Sequence, residues 1–372
     1  RRAMKFTVSQ DSLADALSVV LKGAGGATTL PILNGVLIKA YDGVLELHTT
    51  NTEISIKHRI TARVDEPGEA VVPCKLFSNI TKALPDAPVS FEVVERQAVI
   101  SCAKSSFRLN MLDPRDFPEF PAYAIESCVD LPVSVLSEMV SRVWRVASKD
   151  RSRGVLTGVL MTVENNTIRL VATDSYRLAV CDTQVETSNL EGSFEAIVPS
   201  ESLNDALSVM GDAPTIMVGV TDAQVVFEAG NTCYVTRRMK ESFPSYRMLI
   251  PSACAMTAKL DNASFAAAVK RVSAIGSGNP TLRFDIDTEA GVLKLTLISS
   301  DQGYASETLD IEAEGKSGCT GFSCHYIADF FNMAGHDKDL TLEIQDYGRP
   351  AVFKTYGKVN YLYLAMPIRL SE

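Results

Sequence analysis

Residues 70–94 read AVVPCKLFSNITKALPDAPVSFEVV, and residues 196–220 read AIVPSESLNDALSVMGDAPTIMVGV. The two stretches align without a gap at a separation of 126 positions, with Val-Pro near the start and Asp-Ala-Pro in the middle of each. Both combine an apolar run, a segment with helical spacing and a second apolar run, which predicts strand, helix and strand. Since a long internal repeat indicates a repeated architecture, the chain is expected to consist of similar units.

Three segments with the same order of elements open at residues 6, 129 and 258. They read FTVSQDSLADALSVVL, VDLPVSVLSEMVSRVW and AKLDNASFAAAVKRVS. Each predicts a short strand, a polar helix start and a helix with one apolar face. In the first segment, Ser9 or Asp11 can cap the helix. The residues at helical spacing that form the three apolar faces are Leu13, Leu17 and Val20, then Leu136, Met139, Val140 and Val143, then Phe265, Val269 and Val272.

A β-hairpin is predicted after each of these helices, because alternating apolar residues flank a turn. The turns are expected at Asp42-Gly43, at Asn165-Asn166 and near Ala290-Gly291. Residues 320–344, TGFSCHYIADFFNMAGHDKDLTLEI, form a degenerate third copy of the opening stretch. The sequence therefore predicts an α+β fold of three tandem similar domains, each made of two strand–helix–strand-meander halves. The expected domain bounds are 4–127, 128–254 and 255–372.

The length and composition are those of a folded, multidomain chain. It has 372 residues, of which 46% are hydrophobic and 22% charged. No apolar run approaches the roughly 18 residues that span a bilayer, and no secretory signal is visible after Met4. These features predict a cytoplasmic protein without a membrane partner. Arg1–Ala3, which precede Met4, are left out of the fold prediction.

Eight cysteines are present, and none of them lies in a C-x-x-C motif. Several, such as Cys102 and Cys181, lie in apolar runs, which favours reduced core thiols. The four histidines do not fall at the spacing of zinc ligands. Neither a metal nor a cofactor is therefore expected.

Positive charge is gathered on some predicted helices, although the net charge is −9. The second helix, the third helix (roughly residues 133–149) and the fifth helix carry it, whereas the fourth is acidic. One interpretation is a set of solvated helix faces. The other is a surface that attracts phosphates without reading base sequence. The candidate DNA-facing residues are Lys75, Lys82, Arg142, Arg145, Lys149, Arg151, Lys270 and Arg271.

Motifs of the common catalytic classes are missing from the sequence. There is no Walker P-loop, no nucleophile elbow and no H-E-x-x-H zinc motif. The glycine-rich GAGGAT at residues 23–28 follows a predicted helix rather than a strand, so it predicts a flexible loop instead of a dinucleotide site. A binding protein is favoured over an enzyme.

Five short motifs resemble those of the bacterial DNA polymerase III beta subunit, the beta sliding clamp family. They are MKFTV (4–8), TLPIL (29–33), VATDSYRLAV (171–180), FPSYRMLIP (243–251) and MPIRL (366–370). The resemblance covers the chain from Met4 and implies the DNA clamp fold, in which two subunits join head to tail into a closed ring. It further implies a non-catalytic processivity factor of DNA replication and repair, bacterial and nucleoid-associated, that encircles duplex DNA without sequence preference.

The same resemblance implies a pocket for short peptides from the replicative polymerase, the clamp loader and other partners. VATDSYRLAV supplies much of it, and the equivalent stretch of the first repeat, TTNTEISIK, has no Tyr-Arg-Leu. Such a groove combines apolar walls with backbone and arginine donors. The residues matched to it are Leu156, Thr173, Ser175, Tyr176, Arg177, Leu178, Pro244, Met248, Leu249, Leu364, Ala365, Met366, Pro367, Ile368 and Arg369.

The chain departs from the family pattern at three places. Gly-His is commoner in the family where Ser175-Tyr176 stand here, and a basic residue is commoner where Met248 stands. Both differences concern the peptide pocket. Ala27-Thr28 replace a basic residue expected before TLPIL, which puts a DNA contact of that loop in doubt.

The family's dimer interface is matched by residues from opposite ends of the chain. Ala274 and Ile275 correspond to an apolar position of the third domain, and Phe107 corresponds to its counterpart in the first. Lys104 is expected to pair with an acid near Glu307 of the other subunit. Two functions of other classes stay open: a metal-dependent nucleotidyl-transfer or nuclease enzyme of DNA replication, and a repeat scaffold unrelated to DNA.

Overall fold

The computed structural model describes residues 4–25, 30–334 and 337–370. The glycine-rich loop and the Ala27-Thr28 departure therefore lie partly or wholly outside the described residues. Within those ranges the α-helices are α1 (Gln10–Leu21), α2 (Cys74–Ala83), α3 (Val133–Val143), α4 (Ser200–Ser208), α5 (Asn262–Val272) and α6 (Cys324–Ala334).

The β-strands of the described residues fall into three runs along the chain. The first run is β1 (Lys5–Ser9), β2 (Gly35–Tyr41), β3 (Val44–Thr50), β4 (Ile54–Thr61), β5 (Arg63–Glu66), β6 (Gly68–Pro73), β7 (Pro88–Val94), β8 (Gln97–Cys102) and β9 (Ser105–Asn110). The second is β10 (Ser127–Pro132), β11 (Gly158–Glu164), β12 (Thr167–Thr173), β13 (Arg177–Gln184), β14 (Leu190–Glu191), β15 (Phe194–Pro199), β16 (Thr215–Val220), β17 (Gln224–Ala229) and β18 (Thr232–Arg237). The third is β19 (Met256–Asp261), β20 (Thr281–Asp287), β21 (Val292–Ser299), β22 (Gly303–Asp310), β23 (Glu312–Gly315), β24 (Gly318–Ser323), β25 (Asp339–Ile344), β26 (Ala351–Tyr356) and β27 (Asn360–Ala365).

Each described helix follows a single strand and is followed by further strands of a meander. The Val-Pro anchors of the repeat mark the change from strand to helix: α2 begins directly after Pro73, and α4 begins directly after Pro199. Proline suits this position, because its fixed φ is compatible with a helix start and its missing N–H is not needed there.

The hairpin turns lie where the sequence predicts them. Asp42 and Gly43, and likewise Asn165 and Asn166, all have positive φ, as a two-residue turn between twisted strands requires. Gly291, with φ of +65°, lies in the turn between β20 and β21.

The chain divides into two compact units that do not coincide with the three sequence repeats. For the part of the chain that the structure describes, unit 1 lies within residues 1–133, 189–192 and 205–238, and unit 2 lies within residues 134–188, 193–204 and 239–372. Each unit contains one nine-stranded antiparallel sheet and one smaller sheet. Strands of neighbouring repeats thus share one sheet in each unit.

In unit 1 the nine-stranded sheet has the order β14-β10-β16-β17-β18-β4-β3-β2-β6. The smaller sheet has the order β5-β1-β7-β8-β9. Phe6 and Phe91 stack with ring centroids 4.9 Å apart in its core, and the Gln10 side-chain amide donates to the Thr81 carbonyl at 2.8 Å, which ties α1 to α2.

In unit 2 the nine-stranded sheet has the order β15-β11-β12-β13-β27-β26-β25-β19-β23. The smaller sheet has the order β22-β21-β20-β24. Aromatic side chains fill the core beside α5 and α6: Phe330 contacts Phe353 and Tyr363, and Phe284 contacts Phe322 and Phe353.

The third helix is shorter than predicted, and this changes the place of one arginine. It ends at Val143, after which residues 144–146 form a 3₁₀ turn and Ala147 is extended and buried. Arg142 follows Met139 by three positions, so it borders the buried stripe of α3. It is 1% exposed.

The buried guanidinium of Arg142 pairs with two carboxylates, Glu138 at 2.6 Å and Asp337 at 2.7 Å. Burial alone would raise the pKa of the Asp337 carboxyl, but the hydrogen bond from Arg142 lowers that pKa overall. Arg142 is consequently a structural residue. Its assignment as a DNA-facing residue is wrong.

Candidate functional site

The stretch VATDSYRLAV forms the end of β12, a tight turn and the start of β13. The Thr173 hydroxyl donates to the Arg177 carbonyl at 2.7 Å, and the Ser175 amide donates to the Thr173 hydroxyl at 3.2 Å. One carboxylate oxygen of Asp174 accepts from the amides of Tyr176 and Arg177, at 2.9 and 3.0 Å. Ser175 has φ of +77°, a conformation in which the family's commoner glycine carries no steric penalty.

The first repeat, in unit 1, makes the same turn with different side chains. Thr50 donates to the Ile54 carbonyl, and Asn51 accepts from the amides of Glu53 and Ile54. Thr52 has φ of +76°. The turn itself is therefore common to the first and second repeats. What is particular to the second repeat is Tyr-Arg-Leu in place of Glu-Ile-Ser.

The sheet brings the end of the chain to this turn. Strands β13 and β27 pair antiparallel, with Leu178 opposite Leu364, and the Met366 amide donates to the Tyr176 carbonyl at 3.0 Å. Side chains alternate between the two faces along a strand. Leu178 and its partner Leu364 therefore lie on one face of the nine-stranded sheet of unit 2, and Arg177 lies on the other face.

On the first face, apolar side chains form a buried layer that we call the apolar floor. It consists of Leu160, Val171, Leu178, Val180, Ile197, Tyr246, Val352 and Leu364. Leu178 is 1% and Leu364 2% exposed, so they support a surface rather than stand open as walls. Ala365 is fully buried as well.

Large side chains directly before β13, shortly after β27 and in the FPSYRMLIP segment are exposed, and we call them together the apolar rim. Met248 is 87% exposed and Tyr176 57%. Such side chains are costly to leave in water, which makes them candidate contacts for a partner. The members of the rim are Tyr176, Met248, Leu249, Met366 and Ile368.

The remaining predicted pocket residues occupy different positions around this surface. Pro244 and Arg369 are exposed, and Leu156 and Pro367 are partly buried. Thr173 and Ser175 serve the turn, and the Ser175 hydroxyl accepts from Arg153 at 2.8 Å.

The expectation that Arg177 offers hydrogen-bond donors at the edge of the pocket is wrong. Its guanidinium donates to Asp174 at 3.1 Å, to Asp329 at 2.6 Å and to the Arg145 carbonyl at 3.2 Å, and it lies over the Tyr326 ring. Burial would lower the pKa of Arg177, but Tyr363, Asp329 and Asp174 raise that pKa overall. Its donors are committed to the chain itself, so it holds the turn in place.

The sequence prediction missed Tyr246 as part of the apolar floor, although it lies within the quoted motif FPSYRMLIP. It is 6% exposed and packs with Leu178 and Leu364. Phe243 and Ile250 of the same motif pack beside it. The signal was the density of apolar side chains in a segment otherwise predicted as a loop.

The proposed DNA-facing residues other than Arg142 are all exposed. Arg271 is nevertheless paired within the chain, through two hydrogen bonds to Glu307, one of them 2.9 Å long. Glu307 therefore already has a partner within the chain. If Lys104 of another copy paired with Glu307, it would share this carboxylate with Arg271.

Neither a metal-binding cluster nor a membrane-spanning helix occurs in the part of the chain that the structure describes. No group of three or more His, Cys, Asp or Glu side chains converges there. No helix there is long and apolar enough to cross a bilayer.

Comparison with known proteins identifies the family. Models of the N-terminal, central and C-terminal domains of the DNA polymerase III beta subunit match residues 4–121, 130–245 and 247–369. The chain belongs to the DNA polymerase III beta subunit family. Its function is that of a DNA sliding clamp, a non-catalytic processivity factor, and the alternative of a replication enzyme is not supported.

Individual beta sliding clamps agree over the full length. The beta sliding clamp of Streptomyces coelicolor is 30% identical, over 99% of this chain and 100% of the relative. The solved sliding clamp of Bacillus subtilis is 26% identical with a TM-score of 0.94, over 99% and 100% of the two chains. A solved clamp from Bartonella birtlesii, bound to griselimycin, is 24% identical with a TM-score of 0.90, again over 99% and 100%.

If Arg177 holds the turn, Arg177→Lys should lower the free energy of unfolding by about 2–3 kcal/mol, because lysine keeps the charge but cannot replace the planar fork of donors. Chemical denaturation measures this change. Arg153→Lys, which changes a second arginine that donates to this turn from outside it, is the matched control and should change stability by less than about 0.5 kcal/mol. Equal stability of the two variants would contradict the role given to Arg177.

Proposed function

We propose that two copies of the chain join head to tail into a closed ring around duplex DNA. The apolar rim of each copy then receives short peptides from a polymerase, a clamp loader and other partners. A protein held in this way on the chromosome would be associated with the nucleoid. The three domains of each copy keep the proposed bounds 4–127, 128–254 and 255–372.

The head-to-tail dimer is supported by the edges of the smaller sheets. Each nine-stranded sheet consists of five strands of one repeat and four strands of the repeat before it. The two sets are joined by the pairing of β18 with β4 in unit 1 and of β27 with β13 in unit 2. A five-stranded sheet ending at β9 and a four-stranded sheet ending at β22 are left. Strand β9 is the last strand of the first repeat, as β18 and β27 are of the second and third. Strand β22 is the fourth strand of the third repeat, as β4 and β13 are of the first and second. Pairing β9 of one copy with β22 of another would repeat the internal junction.

Apolar side chains at these edges fit such an interface. Phe107 on β9 is 37% exposed, and Tyr304 on β22 is 58% exposed. Ala274 and Ile275 lie in a 3₁₀ turn directly after α5, exposed and partly buried respectively. This contact is heterologous, so two copies close a ring only when both ends engage.

If these residues form the interface, Ile275→Asp should convert the dimer into a monomer of 40.3 kDa at low micromolar concentration, because it places a charge in an apolar contact. Analytical ultracentrifugation measures the mass. Met248→Asp, on the far more exposed apolar rim, is the control and should stay dimeric. A dimer that survives Ile275→Asp would show that the interface is elsewhere.

Contact with DNA is proposed for the exposed basic residues, with retention mainly topological. The net charge of −9 opposes general affinity for DNA, so a few local cations would assist without reading sequence. The proposed set is Lys75, Lys82, Arg145, Lys149, Arg151, Lys270 and Arg271.

Replacing Lys149 and Arg151 together with alanine should weaken retention on circular DNA and reduce the dependence of log K on log salt by roughly two. A salt titration of retention on nicked plasmid measures this slope. Arg63→Ala with Arg115→Ala removes the same number of exposed cations and should leave the slope unchanged. Tight binding of the wild-type chain to short linear duplexes would contradict topological retention.

Peptide binding is proposed for the apolar rim because it combines exposed anchors, a rigid floor and the end of β27. A short peptide buries little surface, so affinity on the order of micromolar, about −8 kcal/mol, is expected. Two such surfaces per ring would allow linked partners to gain avidity. Griselimycin, present on the Bartonella relative, is a suitable first probe.

Met366→Ala should weaken binding of griselimycin about five- to thirtyfold, because the exposed side chain contributes apolar area to the rim. Isothermal titration calorimetry measures the affinity. The control is Arg237→Ala in unit 1, because Arg237 occupies the equivalent position there. Its amide donates to the Glu53 carbonyl at 3.1 Å, just as the Met366 amide donates to the Tyr176 carbonyl. Equal loss in both variants, or none in Met366→Ala, would place the ligand elsewhere.

A further inference from the structure

A cavity of about 330 Å³ opens beside the apolar floor of unit 2. Val180 and Leu362 line it, and each lies two positions along its strand from Leu178 or Leu364. Because residues two apart share a face, the cavity lies on the same face of the nine-stranded sheet as the apolar floor. Ile250 completes its apolar lining.

The cavity is continuous with the proposed peptide surface. Tyr246 and Val180 belong to the apolar floor and also line the cavity. A chain that crosses the apolar rim and continues past Tyr246 would therefore enter this cavity without leaving the sheet face.

The polar lining of the cavity is predominantly basic, in a chain whose net charge is −9. Arg169, Arg247 and Lys354 line it together with one carboxylate, Asp182. The Arg169 Nε atom donates to Asp182 at 3.2 Å, and Lys354 donates to Glu343 at 2.7 Å. Each of these pairs uses one donor of a group that has several, so Arg169 and Lys354 can each donate a hydrogen bond to a further carboxylate. Arg247 is exposed.

An aromatic side chain stands at the border of this basic lining. Tyr356 lines the cavity and is 63% exposed. An exposed ring next to an apolar recess offers a stacking surface for a second ring. The lining thus combines an apolar floor, a ring and three cations, which complements an aromatic residue next to an acidic one.

We propose that this cavity is a second subsite for the partner peptide, which takes an aromatic side chain and an adjacent carboxylate from the residues that flank the apolar anchors. The proposal rests on the proposed function of the apolar rim. In this proposal the protein discriminates among partner peptides by the residues next to their apolar anchors. Peptides with acidic and aromatic residues there bind more tightly than peptides with neutral ones.

The test compares three fluorescein-labelled probes by anisotropy. The short probe is a heptapeptide with leucine and phenylalanine anchors. The extended probe adds Glu-Tyr-Asp, at either end in separate peptides, and the neutral probe adds Gln-Tyr-Asn at the same end. The wild-type chain should bind the better extended probe about tenfold more tightly than the short one. The neutral probe should gain less than threefold.

Variants of the chain then separate the subsite from the rim. Lys354→Gln and Tyr356→Ala should each reduce the gain from the extension to about threefold or less, with the short probe unaffected. Lys358→Ala, an exposed lysine outside the lining, should keep the full gain. A short probe that binds while the extension adds nothing, or an equal gain in all variants, overturns the subsite alone. Failure of every probe to bind overturns the peptide surface and the subsite together.

Discussion

The pairing of β13 with β27 is the constraint on which the proposed peptide surface depends. It sets Arg177 opposite Ala365 and Leu178 opposite Leu364, and so joins strands from two repeats into one sheet. Met366, which follows β27, is thereby held beside the Tyr176 turn. A shift of this register by one residue would exchange the two faces of β27, and would place the Tyr363 ring where Leu364 now supports the apolar rim.

Side chains alternate along β13, so one face of the sheet holds the Arg177 contacts and the other carries the proposed peptide surface. On one face Arg177 is surrounded by Asp174, Asp329, Tyr326 and Tyr363, and its donors are used within the chain. On the other face the apolar floor carries exposed side chains that the chain itself does not cover. The buried Arg177 ties the turn to Asp329 and to the Arg145 carbonyl, and a preorganised turn would lower the ordering cost of the proposed peptide binding.

The sequence was sufficient for the repeat, for the presence of the helices and for the hairpin turns, because these depend on local spacing and on residues such as Asp42-Gly43 that suit positive φ. It placed the end of the third helix too late. It was insufficient for Arg142 and Arg177, which it assigned to DNA and to a peptide. Their partners, Asp337 and Asp329, lie 195 and 152 positions away, and local spacing carries no information about such pairs. Tyr246 was missed for the same reason, since only tertiary packing places this loop residue in the apolar floor.

Ring closure through β9 and β22 is the central claim, and cysteine cross-linking tests it most directly. By the registers of the two internal junctions, Phe107 should lie opposite Ala305 or Ser306 of the other copy. With exposed Cys254 and Cys319 replaced by serine, Phe107→Cys chains mixed with Ala305→Cys or Ser306→Cys chains should form a disulfide-linked dimer under mild oxidation. Phe107→Cys chains alone should form none. Cross-linking of Phe107→Cys chains to one another would reveal an isologous dimer and contradict the head-to-tail ring, as would the absence of any cross-link in the mixtures.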